Sequence, residues 1–306
     1  MSTPKIVTYR GMCNEDQLLV RGHLFADYGL EPHLAGSSWW TNLREFAKRY
    51  RLQPLSGRLV EARLNGGAPV SSTTGPRGFF QAELPCRPAA LAGKWGAFEY
   101  RLPGAEDWKQ GEVLISHPSN VGVISDIDDT VITSHSTLPL RKFYLMVTRN
   151  AHSRRPTPEL EKLLLAIRHL NEDRLPEDFF YVSDSEWNLY DFLVKFFEVH
   201  QLPKGVFMLR RFQRGFWDAL RPDAVAGNTK YDRIQFLFRF FPDKPFILVG
   251  DTSQRDMAIY TSIAREYGSR VKGILIRRVR RAASPEKVDR YMATYRELGI
   301  PFELIR

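Results

Sequence analysis

The sequence predicts two modules in one chain: an N-terminal all-β sandwich over residues 1–118, and a C-terminal α/β domain with a doubly wound parallel sheet over residues 119–306. Three observations carry this expectation. The first part alternates short apolar segments with Gly/Pro/Asn turns. The second alternates continuous apolar strands with amphipathic helices. His117-Pro118-Ser119-Asn120 stands where one pattern gives way to the other. Apolar strands separated by helices imply a parallel sheet covered on both faces. A length of 306 residues is long for one core and comfortable for two.

In the N-terminal part, GRLVEARL (57–64), GFFQAEL (78–84), GAFEYRL (96–102) and GEVLIS (111–116) read as strands. Turns at Asn65-Gly66-Gly67 and Pro103-Gly104 separate them. A helical insert, SSWWTNLREFAKRYRL (37–52), puts Trp39, Leu43, Phe46 and Tyr50 on one face. Downstream, VGVISD (121–126) is a strand. Thr157 and Pro158 then open a helix with its stripe at Leu160, Leu163, Leu164, Ile167 and Leu170. FFYVS (179–183) is the next strand, and Ser185 reads as the cap of a helix that turns Trp187, Phe192, Leu193 and Phe196 inward. VFMLR (206–210) is a short strand, Thr229 opens a helix through Phe241, and FILVGD (246–251) returns to strand. Ser253 caps a helix ending near Gly268, VKGILIRRV (271–279) is strand, and Ser284-Pro285-Glu286 opens a last helix that stops at Gly299.

Composition narrows the function classes. With 43% hydrophobic and 26% charged residues, disorder is not the default. The net charge of +9 predicts attraction to polyanions: an anionic membrane face, phosphorylated substrates or nucleic acid. Cys13 and Cys86 match no metal spacing and make no disulfide framework. The N-terminus lacks the apolar core of a signal peptide, and no run of about 18 apolar residues exists to span a bilayer. The expectation is a cytoplasmic chain without a transmembrane segment, able to work as a peripheral membrane protein.

The chemistry concentrates at strand ends, where open α/β sheets bind ligands. In VISDIDDTVITS (123–134), aspartates follow an apolar run directly. Like charges packed this closely need compensation, and a divalent cation supplies it. Asp126 can attack phosphorus and form an aspartyl-phosphate. Asp128 can protonate the leaving oxygen and then activate water. Thr130 follows in the same loop as a substrate-binding residue. Ser183 ends the second strand, and Lys230 sits in the first turn of a helix, where a cation opposes the dipole unless an anion is near. Both can hold phosphoryl oxygens. Asp251, with Asp256 five residues on, completes an oxygen-rich site with Asp126 and Asp128 of the kind Mg²⁺ prefers.

DIDDT, the strand-end Ser183, Lys230 and GDTSQRD (250–256) resemble the four motifs of haloacid-dehalogenase (HAD) superfamily phosphatases. More narrowly, VGVISDIDDTV, YVSDSEWNLYDFL, LPKGVFMLRRF and PFILVGDTSQRDMAIY resemble the actin-patch-associated phosphatidate phosphatase family over roughly residues 119–280. The resemblance implies a HAD-like sheet and Mg²⁺-dependent hydrolysis of a phosphatidate-type lipid phosphomonoester. By motif, Asp126 is nucleophile and metal ligand, Asp128 is acid/base and metal ligand through its carbonyl, and Asp251 is a metal ligand. Asp256 supports the metal, and Ser183 and Lys230 bind phosphate. The chain departs from the family pattern at Asp184, where Asn is expected, and a further carboxylate there would alter charge preference. The motifs lie 57 residues (126 to 183) and 47 residues (183 to 230) apart. Core elements fill most of both gaps, so we expect a minimal cap and an open site suited to a phosphate on something large.

Two basic stretches with aromatic neighbours, LRRFQRGFW (209–217) and RRVRR (277–281), suit a membrane interface and would equally suit single-stranded nucleic acid. The expected partner is a phospholipid or other phosphomonoester, with a possible anionic membrane surface; nucleic acid is not expected. Two other readings stay open: a phosphatase of a phosphoprotein or nucleic-acid end, and a non-catalytic phospholipid- or partner-binding scaffold.

Overall fold

The computed structural model describes residues 4–26, 53–86, 94–127, 159–210, 229–252, 254–279 and 284–305. The expected helix at 37–52, Thr157, Pro158 and the cap Ser253, much of both inter-motif gaps and most of the first basic stretch lie outside these residues. In the second stretch Arg277 is buried and pairs with Glu159 at 3.0 Å, so it does not face a membrane or nucleic acid.

In the N-terminal module, β1 (Lys5–Thr8), β2 (Gly11–Cys13), β3 (Gln17–Phe25), β4 (Leu59–Arg63), β5 (Val70–Thr73), β6 (Phe79–Pro85), β7 (Lys94–Arg101) and β8 (Lys109–Ile115) make one eight-stranded sheet. Its order is β1-β3-β2-β8-β7-β4-β5, with β6 also on β3. The pairs are antiparallel except β2 with β8. In β6, Phe80, Ala82 and Leu84 are buried while Gln81, Glu83 and Pro85 face out, as period-2 alternation demands. The Ser72 hydroxyl of β5 donates to the Gln81 carbonyl of β6 at 2.7 Å, so the sheet curls on itself. The expected sandwich is therefore one curled, mixed sheet over a core that includes Leu18, Val20, Phe80, Phe98 and Val113.

Strand β3 is buried almost throughout, which erases the alternation that would have marked it in the sequence. Leu18, Val20 and Leu24 fill the module's own core, while Leu19 and Arg21 face the rest of the molecule and His23 packs against Tyr9. Cys13 lies opposite Leu18, and the Cys86 amide donates to the Asp16 carbonyl at 2.9 Å. This brings the two cysteines together as a disulfide across 73 residues. The expectation of no disulfide framework from these two cysteines is corrected to one disulfide. Two strands pairing with β3 converge on its start, a juxtaposition that sequence spacing does not reveal. Cysteine usage accordingly gives no support to a reducing compartment.

The C-terminal module contains β9 (Gly122–Ser125), α1 (Leu160–His169), β10 (Asp178–Glu186), α2 (Tyr190–Val199), β11 (Gly205–Arg210), α3 (Lys230–Phe240), β12 (Phe246–Asp251), α4 (Gln254–Tyr267), β13 (Val271–Arg277), α5 (Pro285–Glu297) and β14 (Phe302–Ile305). The six strands are all parallel, in the order β11-β10-β9-β12-β13-β14. Leu163 and Ile167 of α1 and Phe192 and Phe196 of α2 share one core with Val123 and Tyr181. Ile234 of α3, Tyr260 of α4 and Tyr295 of α5 share the other with Ile124 and Phe180. The sheet is thus doubly wound. Ser185 belongs to β10 and caps nothing, because that strand runs on to Glu186 before a short 3₁₀ turn. Among the described residues, no helix is long and apolar enough to cross a membrane.

The two modules are welded at 117–120. Lys244, fully buried, pairs with fully buried Asp178 at 2.7 Å and donates to the carbonyls of His117 and Asn120, each at 2.7 Å. The Ser116 hydroxyl donates to Asp178 at 2.7 Å. Burial pulls the Lys244 ammonium below its ordinary value, with Asp178 opposing.

Two measurements check this fold. Reduction with dithiothreitol should lower the unfolding midpoint of the native chain and leave Cys86→Ala unchanged. Closing a loop of that length is worth about 4 kcal/mol on chain-entropy grounds. Burial also pushes His23, whose Nδ1 lies 2.6 Å from the Tyr9 hydroxyl, down to about 3 from 6.5. Between those values the unfolded chain binds the extra proton. Stability contributed by neutral His23 should therefore be complete above pH ~6.5 and fall by about 1.4 kcal/mol per unit on acidification towards pH ~3. Urea titrations at several pH values should show this component of the slope missing in His23→Phe.

Candidate active site

The site stands at the carboxyl edge of the parallel sheet, where the connections leaving the neighbouring strands β9 and β12 run to opposite sides. Asp126 follows β9 directly. Its amide donates to the Val249 carbonyl of β12 at 2.9 Å, extending the ladder that pairs Ser125 with Val249. The Ser125 hydroxyl donates to the Asp126 carbonyl at 2.8 Å, further fixing the start of the loop. Asp251 ends β12, the neighbouring strand, so both carboxylates leave adjacent loop tips. Asp256 lies in the first turn of α4, and its Oδ2 accepts the Asp251 amide at 3.3 Å.

Lys230 is the first residue of α3. The Thr229 hydroxyl accepts the Asp232 amide at 3.1 Å while the Asp232 carboxylate accepts the Thr229 amide at 2.9 Å, a reciprocal cap that holds this helix end in place. From there the Lys230 ammonium reaches Asp126 Oδ1 at 2.9 Å and Asp256 Oδ1 in a shorter contact. Burial alone would lower its pKa, but Asp126 and Asp256 outweigh burial and raise it well above the ordinary lysine value. The ammonium stays charged throughout the neutral range.

Asp126, Asp251 and Asp256 are all buried, and each offers an oxygen within 4.8 Å of the others. Among the described residues, three carboxylates and one ammonium meet in this cluster. A divalent cation would add positive charge here, and an all-oxygen donor set is the kind Mg²⁺ takes. The donors present fit that ion. The structure brings together Asp126, Lys230, Asp251 and Asp256. Ser183 stands on the same edge: β10 aligns Tyr181 with Ser125, and Ser183 lies two residues further on, fully buried, accepting the Ser185 amide at 3.0 Å. Asp128 and Thr130 lie outside the described residues.

Several supporting residues escaped the reading of motifs. A Cβ on Gly250 would lie 2.7 Å from both Asp256 Oδ2 and the Tyr260 ring, so only glycine lets Asp256 tuck under β12. The Tyr260 hydroxyl donates to the Val249 carbonyl at 2.7 Å, bracing the same backbone. Thr252 donates its amide to Arg277 and accepts the Val279 amide on its hydroxyl, which ties the turn after Asp251 to β13. Aromatic and glycine signals of this kind look like ordinary core in a sequence. Asp184, which would add charge, instead binds Arg233 at 2.7 Å. Partial burial works against its ionised form, but Arg233, with Lys230 and Arg210 further off, holds the Asp184 carboxyl below its usual value. The departure at 184 is therefore charge-compensated one helical turn beyond Lys230.

The family described as Phosphatidate phosphatase APP1, catalytic domain, matches residues 121–278, a stretch that begins just before β9 and includes every site residue named here. The chain is 30% identical over 160 residues to the Phosphatidate phosphatase APP1 of Saccharomyces cerevisiae, covering 52% of this chain and 26% of that protein. It is 27% identical over 172 residues to the Uncharacterized protein C29B5.04c of Schizosaccharomyces pombe, covering 55% of this chain and 27% of that protein. The chain thus spans about a quarter of the length of these relatives.

Lys230→Met removes the charge that Asp126 and Asp256 share. It should lower the unfolding free energy by about 3–5 kcal/mol at pH 7 in the absence of divalent cations. Urea denaturation measures this, and a loss under about 1 kcal/mol would mean the pair is solvated.

Proposed function

The chain belongs to the family described as the catalytic domain of Phosphatidate phosphatase APP1, and from that membership we propose that it is a Mg²⁺-dependent phosphatidate phosphatase working through an aspartyl-phosphate. The observation that carries this reading is the buried cluster in which Lys230 bridges Asp126 and Asp256 beside Asp251. A structural ion pair has no need of a third buried carboxylate. A phosphoryl site needs both a cation locus and a fixed nucleophile. The doubly wound sheet and its strand-end motifs suit a HAD-like catalytic domain over 119–306, with residues 1–118 as a second domain.

In this mechanism Asp126, held through one oxygen by Lys230, attacks phosphorus with its carboxylate. The ester P–O bond breaks, and Asp128 gives its proton to the departing glycerol oxygen. Water then attacks the phosphorus of the acyl-phosphate while Asp128 takes the proton. The phosphorus–Asp126 bond breaks, inorganic phosphate leaves, and the carboxylate is regenerated. Ser183, Thr130 and Lys230 bind the phosphoryl oxygens and are worth most where charge spreads over them. Asp126, Asp251 and the Asp128 carbonyl would hold Mg²⁺, with Asp256 in support; when bound, the ion supplies charge neutralisation and orientation at the phosphoryl group. The net charge of +9 and the exposed Arg255 beside Asp184 suit a phosphate presented on an anionic membrane surface.

Phosphate release from phosphatidate in mixed micelles tests the reading. Turnover should require Mg²⁺, stop with EDTA and fall at least ~10³-fold in Asp126→Asn, since a lost nucleophile removes the covalent path. Faster turnover of a phosphopeptide or a 3′-phosphorylated oligonucleotide would overturn the lipid assignment. Undiminished activity in Asp126→Asn would overturn the mechanism.

A further inference from the structure

We propose that the N-terminal sheet helps shape the phosphate site: Tyr9 and Arg21 are positioning residues that set Ser183 in place by bracing the turn that follows its backbone bulge and the strand that runs beside it. The proposal deepens the phosphatase reading and rests on it for the role of Ser183.

Strand β10 is regular up to Val182, which pairs with Met208 of β11, and pairs again only at Glu186, opposite Arg210. The register shifts between them, so Ser183, Asp184 and Ser185 bulge out of the ladder. Strand pairing does not fix a bulged segment; whatever anchors its flanks does. Downstream the flank is the short 3₁₀ turn that begins at Trp187 and runs into Tyr190 of α2.

The anchors come from outside the family-matched region. Tyr9, between β1 and β2, stacks on the Trp187 ring with centroids 3.9 Å apart and planes 20° from parallel. The Tyr9 ring also meets Tyr190 edge-on at 4.7 Å. The Arg10 amide donates to the Tyr190 hydroxyl at 2.8 Å. Arg21 links the downstream flank to the neighbouring strand: its guanidinium carbon lies 5.6 Å from the Trp187 centroid, and Nη2 lies 2.9 Å from Sδ of Met208, the β11 residue opposite Val182. Tyr9 and Arg21 are both buried, and Tyr9 is itself oriented by His23. Stacked aromatics with planes this close to parallel resist sliding and tilting, which is what a clamp on a bulge requires. A buried arginine on an aromatic face is similarly fixed by its planar guanidinium.

A clamp of this kind acts on phosphate binding more than on bond breaking, because Asp126 and Lys230 are positioned by other strands. Steady-state hydrolysis of p-nitrophenyl phosphate, with inorganic phosphate as inhibitor, reads the difference. Tyr9→Ala should raise KM and the phosphate inhibition constant together by about tenfold, with kcat within about threefold of wild type. That is a shift of ~1.4 kcal/mol in ground-state binding. Tyr9→Phe, which keeps the stack, should restore both constants. A merely structural role would lower the melting temperature while leaving both constants unchanged, and that result in folded Tyr9→Ala overturns the proposal. Should Tyr9→Ala fail to fold, Arg21→Met decides: it keeps an apolar stem and loses the guanidinium on Trp187, and a phosphate constant unchanged within twofold overturns the clamp. Wild-type chain inactive in Mg²⁺ would instead sink the phosphatase reading itself.

Discussion

Burying several carboxylates beside one another is costly, and among the described residues the Lys230 ammonium offsets that cost. Lys230 spans Asp126 and Asp256, and its own burial would be unfavourable without them. Each partner is what makes the others tolerable, so the cluster is cooperative in the way buried polar networks are. The same balance explains why α3 starts where it does. A lysine in a first helical turn is disfavoured by the dipole, but here two anions face it, and the Thr229–Asp232 cap secures the helix end behind it.

The frame that presents this cluster is built from parallel pairing. Strand β9 lies between β10 and β12, so three neighbouring strands end beside one another and their loops cannot drift apart. At the opposite edge, Asp178, Lys244 and Ser116 fasten the polypeptide entering β9. A buried ion pair of this sort adds little net stability compared with an apolar substitute. It does define one arrangement of the two modules, because Lys244 finds three acceptors only when residues 117–120 cross it.

The N-terminal sheet is correspondingly less separate than its sequence pattern implies. Leu19 and Arg21 of β3 leave their own core to face the second module, and Tyr9 packs among Val123, Trp187 and Tyr190. The matched family region begins at residue 121, yet part of what supports its aromatic loop lies more than a hundred residues earlier. A fragment beginning at 119 would expose Trp187 and Tyr190 to water.

Much of the catalytic-module architecture was legible because its causes are local. Strands buried on both faces must be apolar throughout, helices over them must be amphipathic, and the alternation of the two dictates a doubly wound sheet. Asp126, Ser183, Lys230 and Asp251 could be singled out because strand ends and helix starts are readable positions. Other features arise only in three dimensions. Strand β3 lost its alternation by serving two cores, and Ser185 entered a strand because β11 offered a partner for Glu186. Cys13 met Cys86 because both flanking strands pair with β3. By itself the sequence determined the order of the elements and the acids and cation at their ends, since hydrophobic period and capping act over a few residues. Tertiary structure alone decided which charges neutralise one another, because electrostatic balance depends on distance through space and on burial, and neither is written in spacing along the chain.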